Sequence, residues 1–408
     1  MPDSESRALN VVCLATYFKG VDFIRECKSR GCHVVLVTKE SMLGEDWPRE
    51  SLDDLVAVPN DAHSDLLIHL VSLLTRQNRI DRVIALEEYD VVTAAQIREH
   101  LGLPGMSSTT ARLFRDKLAM SVKARTAGIN VPDFVPLLSY DEIRQFMERV
   151  PPPWVIKPRA DVSAIGIRKV QEPEEVWRAI DELDARERLR ERSPHYLLSR
   201  FIAGNVFHVD SIVNNGRVVF AGANQYGRAP IVVAHHGGAY LSHTIARGSD
   251  DEKNLFKINR KLVRALGLEQ GATHAEFIKH DADGRFYFLE IAARVGGAYI
   301  ADVLEAASGT NLWREWARLE LSDERSAKEI PTAGRNYAGI VLSLAKQEYP
   351  DTSAYDDPEI VYRVKKRHHA GLIVRSGKLE RVTKLLDSYA RRFADDFIAV
   401  VPPLERAQ

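Results

Sequence analysis

Cysteine is scarce: 408 residues hold three, Cys13, Cys27 and Cys32, an odd number without paired spacing. That excludes a disulfide framework and favours a reduced, cytoplasmic setting, the thiols serving as core packing. A surplus of charge is missing too, since 56 Lys and Arg stand against 57 Asp and Glu. Without a basic excess there is no electrostatic footprint for nucleic acid or for an anionic membrane surface. No apolar run approaches the roughly 20 residues that span a bilayer. The opening MPDSESRALN carries two acids and leads straight into a strand-like run, which is not a signal-peptide pattern. Also lacking is a Gly-x-Gly-x-x-Gly turn: Tyr17-Phe18-Lys19-Gly20 follows the first strand, so a dinucleotide has no pyrophosphate cradle there. What remains is an ordinary globular chain, 45% apolar and so with ample core, long enough for two to three domains at roughly 150 residues each.

Strand and helix signals alternate through the first hundred residues. LNVVCLAT (9–16), CHVVLVT (32–38) and RVIALEE (82–88) read as buried strands, and 20–30 and 91–102 as helices. Alternation of this kind predicts a parallel sheet with crossover helices. Beyond residue 113 the pattern changes to a helix over 115–127, strands at 154–157 and 166–170 around a loop, a charged helix over 171–191, and strands at 196–202, 206–213 and 217–223. Residues 224–250 are rich in Gly and His with little periodicity, the mark of a lid or binding loop. A helix over 251–266, a hairpin over 271–292 and a helix over 299–308 come next; from about 330 a separate region carries strands at 337–344 and 371–375 and a helix at 381–393.

The hairpin GATHAEFIKHDADGRFYFLEIAAR carries the most chemistry. Glu276 and Glu290 lie equally far from Asp283, so pairing about that centre sets them opposite one another on one face, about 4.5–5.5 Å apart at Cβ. Two carboxylates that close repel unless a cation lies between them, and magnesium, taking one or two carboxylates and completing its shell with water and phosphate oxygens, suits them. The bland alternative is a pair of solvent-facing glutamates on an edge strand, which the aromatic character of both strands disfavours. Arg294 follows as a forked donor for phosphate or carboxylate, and Gly296 and Gly297 let backbone N–H groups approach an anion at a helix start. Lys157 closes the strand WVIK, where it either snorkels to water or meets an anion beside the loop 159–166. Lys117 opens a helix and reads, by itself, as an exposed helix lysine. Glu87 and Glu88 stand at a strand's C-terminal end, where open α/β sheets bind ligands; they suit either a substrate amine or a helix dipole. His235 and His236 point to opposite faces of any strand, so joint metal ligation is excluded, and His236 is left as a lid or substrate contact or a plain loop residue.

In chain order, FRDKLAM…AGINVPDF, WVIKPRADVSAIGI, LLSRFIAGNVFHVDSIV and AEF…FLEIAARVGG together resemble the ATP-grasp superfamily over roughly residues 82–320. The resemblance implies a multidomain α/β and α+β fold. Its parts are a Rossmann-like domain (1–112), a small subdomain with a glycine-rich loop (113–198), a large subdomain with the metal site (199–325) and a small C-terminal α+β domain (326–408). It implies that Lys117 and Lys157 contact ATP phosphates and that Ser163, Ala164, Ile165 and Gly166 form the phosphate loop. It further assigns Arg200 and Ile202 to the adenine hinge, Glu276 and Glu290 to one or two magnesium ions (manganese being an alternative), and Arg294 to the transferred phosphate or acyl phosphate. Three positions depart from the family pattern: Ser199, Val206 and Ala292, the last where an asparagine ligand is common. The E-x-A-A-R form is similar to that of bacilysin-type L-amino-acid ligases, while the length and C-terminal region resemble biotin carboxylase. The implied activity is ATP-dependent joining of a small carboxylate to an amine, with a homodimer as the implied assembly. Bicarbonate activation and a non-catalytic nucleotide-binding module are the alternatives.

Overall fold

The computed structural model describes residues 7–160, 166–188, 195–228, 238–322, 330 and 334–399. Chain order begins with β1 (Asn10–Leu14), α1 (Val21–Ser29), β2 (His33–Lys39), β3 (Asp54–Val58), α2 (Ser64–Leu74), β4 (Arg82–Ala85) and α3 (Val91–Leu101). The four strands form a parallel sheet in the order β3-β2-β1-β4. The continuous apolar runs follow from this placement: Val11, Val12, Cys13 and Leu14 are all buried because helices cover both faces. β4 stops at Ala85, earlier than its apolar run, because residues 88–90 turn into a short 3-10 helix that carries Glu88. All three cysteines are buried and free.

Helices α4 (Ser108–Arg112) and α5 (Lys117–Thr126) lead to a second, smaller sheet. It contains β5 (Phe134–Pro136), β6 (Trp154–Pro158), β7 (Arg168–Val170) and β8 (Tyr196–Arg200), in the order β5-β8-β6-β7, with α6 (Tyr140–Arg149) and α7 (Pro173–Arg188) between strands. Trp154, Phe146, Ile156 and Val176 fill its core.

The third sheet has eight strands, in the order β13-β12-β9-β10-β11-β14-β16-β15. They are β9 (Gly204–Asn214), β10 (Arg217–Tyr226), β11 (Tyr240–Thr244), β12 (Gln270–His280), β13 (Phe286–Ala292), β14 (Tyr337–Leu344), β15 (Ile360–Arg363) and β16 (His369–Ser376). α8 (Asp250–Leu266) packs Leu255, Leu262 and Val263 among Phe207, Val209 and Val213 on one face. α9 (Ile300–Ser308) and α10 (Leu312–Leu321) bury Leu304 and Trp316 among Ile212, Phe220 and Ala272 on the other. α11 (Leu379–Asp396) covers the C-terminal strands with Val382, Leu386 and Tyr389.

Two expectations are corrected. The span 224–250 is not irregular throughout: β10 continues to Tyr226 and β11 occupies Tyr240–Thr244, because strand alternation needs only side chains that pack, and polar ones do so here. Nor does the stretch from 326 form a sheet of its own. β11 would leave an open edge, and β14 pairs with it from Tyr240↔Leu342 to His243↔Gly339, which merges the C-terminal strands into the large sheet. Among the described residues no helix is long and apolar enough to cross a membrane.

Candidate active site

The site grows from the hairpin β12–β13. A strict mirror about Asp283 would pair Phe277 with Leu289, yet Phe277 pairs with Phe288, one step tighter. Leu289 is then the extra residue of a bulge, after which Glu276 faces Glu290, Ala275 faces Ile291 and His274 faces Ala292. The predicted carboxylate pair is present, and the bulge lets Phe277 and Phe288 stay in the core while the glutamates share the opposite face.

Two lysines converge on this pair. Asp116 caps α5 by accepting from Leu118 N at 3.0 Å, and Arg159, whose Nε lies 2.9 Å from Asp116 Oδ1, ties that cap to the end of β6. Lys117 N donates to Arg159 O at 2.8 Å as well. So pinned, Lys117 is buried rather than an exposed helix lysine, and its Nζ lies 2.9 Å from Glu290 Oε2. Lys157, on β6, is pushed down to about 8 by burial and by Lys117, against the pull of Glu290 and Glu276.

The first domain contributes a knot of charge. Glu88 Oε1 accepts from Arg115 Nη1 at 2.6 Å and its Oε2 from Arg294 Nη2 at 2.6 Å. Burial would raise this carboxyl, but Arg294, Arg115 and Lys117 hold it at about 2. Glu87 pairs with Lys19 at 2.6 Å, on the loop that follows β1. Both acids therefore meet protein cations in place of standing open for an amine, and Arg294, expected at the phosphate, is engaged by Glu88. A cavity of about 10 Å³, the size of one water, joins this knot to the hairpin; Glu88, Arg115, Lys117, His274, Glu290 and Arg294 line it.

Behind Glu276 lies a buried polar row with no counterpart among the expected residues. Tyr226 O–H donates to Glu276 Oε1 at 2.6 Å, and His274 Nε2 stands 3.5 Å from the same oxygen. Asp210 accepts from His274 Nδ1 at 2.8 Å and from His208 Nδ1 at 2.6 Å. Burial opposes the charge on His274, but Asp210 raises it to about 9. His208 and Asp210 alternate with the apolar Phe207 and Val209 along the strand, and that was the readable signal. Gly296 belongs to this row and not to an anion cradle: a Cβ there would sit 2.7 Å from Asp210 Oδ1 and 3.0 Å from His274 Nδ1. Gly297 N–H groups open no helix directly, since Ala298 and Tyr299, both left-handed at φ 52 and 61, intervene before α9.

At the hinge between the smaller sheet and the eight-stranded one, Arg200 ends β8 and Ile202 is buried among Val206 and Ile278. Gly204, at φ 152, approaches Lys279 so closely that a Cβ would lie 1.9 Å from its carbonyl oxygen. Gly166 closes the loop after β6 at φ 70. Ser163, Ala164, Ile165 and His236 lie outside the described residues.

A sequence model of the ATP-grasp domain matches residues 150–302, and one of the ATP-grasp N-terminal domain matches residues 24–105. An L-arginine-specific L-amino acid ligase of Bacillus subtilis is 22% identical over 259 residues, 62% of this chain and 61% of the relative. The match thus spans less than two-thirds of that relative's length. The fold is similar to an L-amino acid ligase from Bacillus licheniformis, with TM-score 0.76 at 19% identity over 97% of this chain and 99% of the other. It is also similar to biotin carboxylase from Campylobacter jejuni, with TM-score 0.70 at 14% identity over 96% and 92% of the two chains. The two matched stretches cover more than half of the sequence and contain the hairpin, the lysine on β6 and the hinge, and on these grounds the chain belongs to the ATP-grasp superfamily.

Proposed function

We propose that this protein is an ATP-dependent carboxylate–amine ligase, acting on small-molecule substrates, one of them an amino acid. A single observation carries the reading: Glu276 and Glu290 face each other across β12 and β13, with the Lys117 ammonium 2.9 Å from Glu290 and the half-buried Lys157 within electrostatic reach of both. Two facing carboxylates, oxygen donors only, fit magnesium or manganese as a nucleotide-borne ion. Such an ion, once bound, withdraws charge from the transferring phosphoryl oxygens.

This chain's residues supply the rest. A carboxylate is a poor acyl donor because its leaving group would be oxide; phosphorylation converts it to an acyl phosphate, which an amine displaces with release of phosphate. Negative charge gathers between nucleotide and acid during both steps. Lys117 and Lys157 hold the phosphates, and the guanidinium of Arg294 faces the acyl phosphate, its orientation set by Glu88. The hinge at Arg200 and Ile202 holds adenine, and Gly166 contacts the phosphates. Lys19, Glu87 and Glu88, at the C-terminal edge of the first sheet, form the wall nearest the substrates. The protein acts in the cytoplasm as a homodimer.

The test is a screen of purified protein with ATP, magnesium and pairwise mixtures of amino acids and carboxylic acids, read as phosphate release and a condensed mass. Chelation by EDTA abolishes both signals. ADP formation that requires bicarbonate and a biotin-linked acceptor would replace this reading with a carboxylase. ATP binding without ADP formation across the panel would leave only a nucleotide-binding module.

A further inference from the structure

We infer that Tyr226 and His274 are positioning residues for the Glu276 carboxylate, fixing one of its oxygens so that the other meets the metal ion; this rests on reading Glu276 and Glu290 as metal ligands. The strand register builds the arrangement. On neighbouring β12 and β9, Glu276 lies beside His208 and His274 beside Asp210; one strand further, Tyr226 on β10 lies beside Ser242 on β11. These side chains therefore form one row across four strands, on the face that bears the carboxylates.

The row is costly to bury and is hydrogen-bonded from end to end. His208, Asp210 and Ser242 are at most 1% exposed, and Tyr226 is 5% exposed. Polar groups so placed destabilise a core unless each finds a partner. They do: Ser242 Oγ lies 2.8 Å from His208 Nε2, His208 Nδ1 lies 2.6 Å from Asp210 Oδ2, and Asp210 Oδ1 lies 2.8 Å from His274 Nδ1. Because an ionised carboxylate only accepts, Asp210 fixes both histidines with hydrogen on Nδ1. Each ring can then turn neither way, and His274 presents its Nε2 edge toward Glu276.

His208, Asp210 and His274 also gather three ligand atoms of the kind that bind metals, within 4.8 Å of one another. A metal reading fails on the same geometry. Both Nδ1 atoms point at Asp210 oxygens at hydrogen-bond distance, so they carry protons and have no lone pair to offer an ion. The row acts instead on the one residue at its end that the cleft shares. Tyr226 holds Glu276 Oε1 at 2.6 Å and His274 approaches the same oxygen, whereas both partners of Glu276 leave Oε2 to the ion. Groups that orient a metal ligand without touching the metal typically set affinity by about 10–100-fold.

The measurement is Mn²⁺ binding to the full-length protein with a non-hydrolysable ATP analogue, read by electron paramagnetic resonance of the free ion. Tyr226→Phe removes one hydroxyl and no ring. It weakens Mn²⁺ binding by about 10–100-fold while metal-free nucleotide affinity and the thermal unfolding midpoint stay at the parent values. His274→Asn keeps a donor for Asp210 but withdraws the ring from Glu276; it shifts affinity in the same direction and decides the matter if Tyr226→Phe does not fold. Unchanged Mn²⁺ affinity in the folded variant overturns the inference. Failure of the metal reading itself looks different: the parent protein then binds no Mn²⁺, or Glu290→Gln binds it as the parent does.

Discussion

Two pairs of glutamates meet in this molecule, and their surroundings differ in kind. Glu87 and Glu88, from the first domain, are matched by Lys19, Arg115 and Arg294, each at 2.6 Å. Glu276 and Glu290, from the large sheet, face each other; one is met by the Tyr226 phenol and, at 3.5 Å, by His274, while the other is met by Lys117. The first pair is more than offset by these three cations, which lock the cleft's wall in place. The second sets two carboxylates face to face at the cleft, an arrangement of oxygen donors that suits a cation. Identical residue types therefore predict opposite outcomes: in one pair, removing the charge damages the fold, and in the other it damages the chemistry.

The largest expected effect separates the pairs directly. Glu290→Gln abolishes ligation, a loss of about 10³-fold or more in turnover if the ion's several kcal/mol of stabilisation go with it, while the circular dichroism spectrum stays that of the folded parent. Near-normal turnover would break the metal assignment. Glu88→Gln behaves the other way. It leaves Arg115 and Arg294 buried without their counter-charge, so urea unfolding should show a loss of about 3–5 kcal/mol; a stable variant with altered kinetics alone would show that the knot serves substrate binding more than the fold.

Acid sharpens the same contrast. Glu88 sits at about 2 in the folded protein against an ordinary 4.5. A carboxyl depressed by folding stabilises the fold above its unfolded value, and that contribution, about 3 kcal/mol, disappears as the pH falls from 4.5 toward 2. Unfolding free energies measured across this window should fall steeply in the parent and shallowly in Glu88→Gln. The smallest effect is at the lysines. Lys157 titrates near 8, so nucleotide affinity of the parent should weaken as the pH rises through that value, and Lys157→Ala should bind ATP more weakly and lose this dependence. Flat affinity from pH 7 to 9 would argue against its contact with phosphate.

The carboxylate hairpin was readable because period-two alternation and a turn signal fix which residues share a face. Its bulge was not, since the extra residue Leu289 differs in no local property from its neighbours; only the demand of Phe288 for the core reveals it. The position of Glu88 at a strand end was equally plain. Its partners were hidden, because Arg115 and Arg294 are 27 and 206 residues away in sequence and no periodicity reports such distances. Tyr226 was lost with the end of β10 and Ser242 with the whole of β11, where glycine- and histidine-rich neighbours mask strands built on polar side chains. The burial of Lys117 is hidden from its local sequence for a related reason. Helix-opening lysines usually face water, and burial of this one depends on Arg159 drawing the helix start against β6.

The eight-stranded sheet runs unbroken from the carboxylate hairpin at one margin to β15 at the other. The strands and helix from Tyr337 to Asp396 are thus no detachable appendage. A shortened gene product ending before Tyr337 would bare the rim of β11 along Tyr240 to His243, unspent N–H and C=O groups included, and offer stray strands a template for self-association.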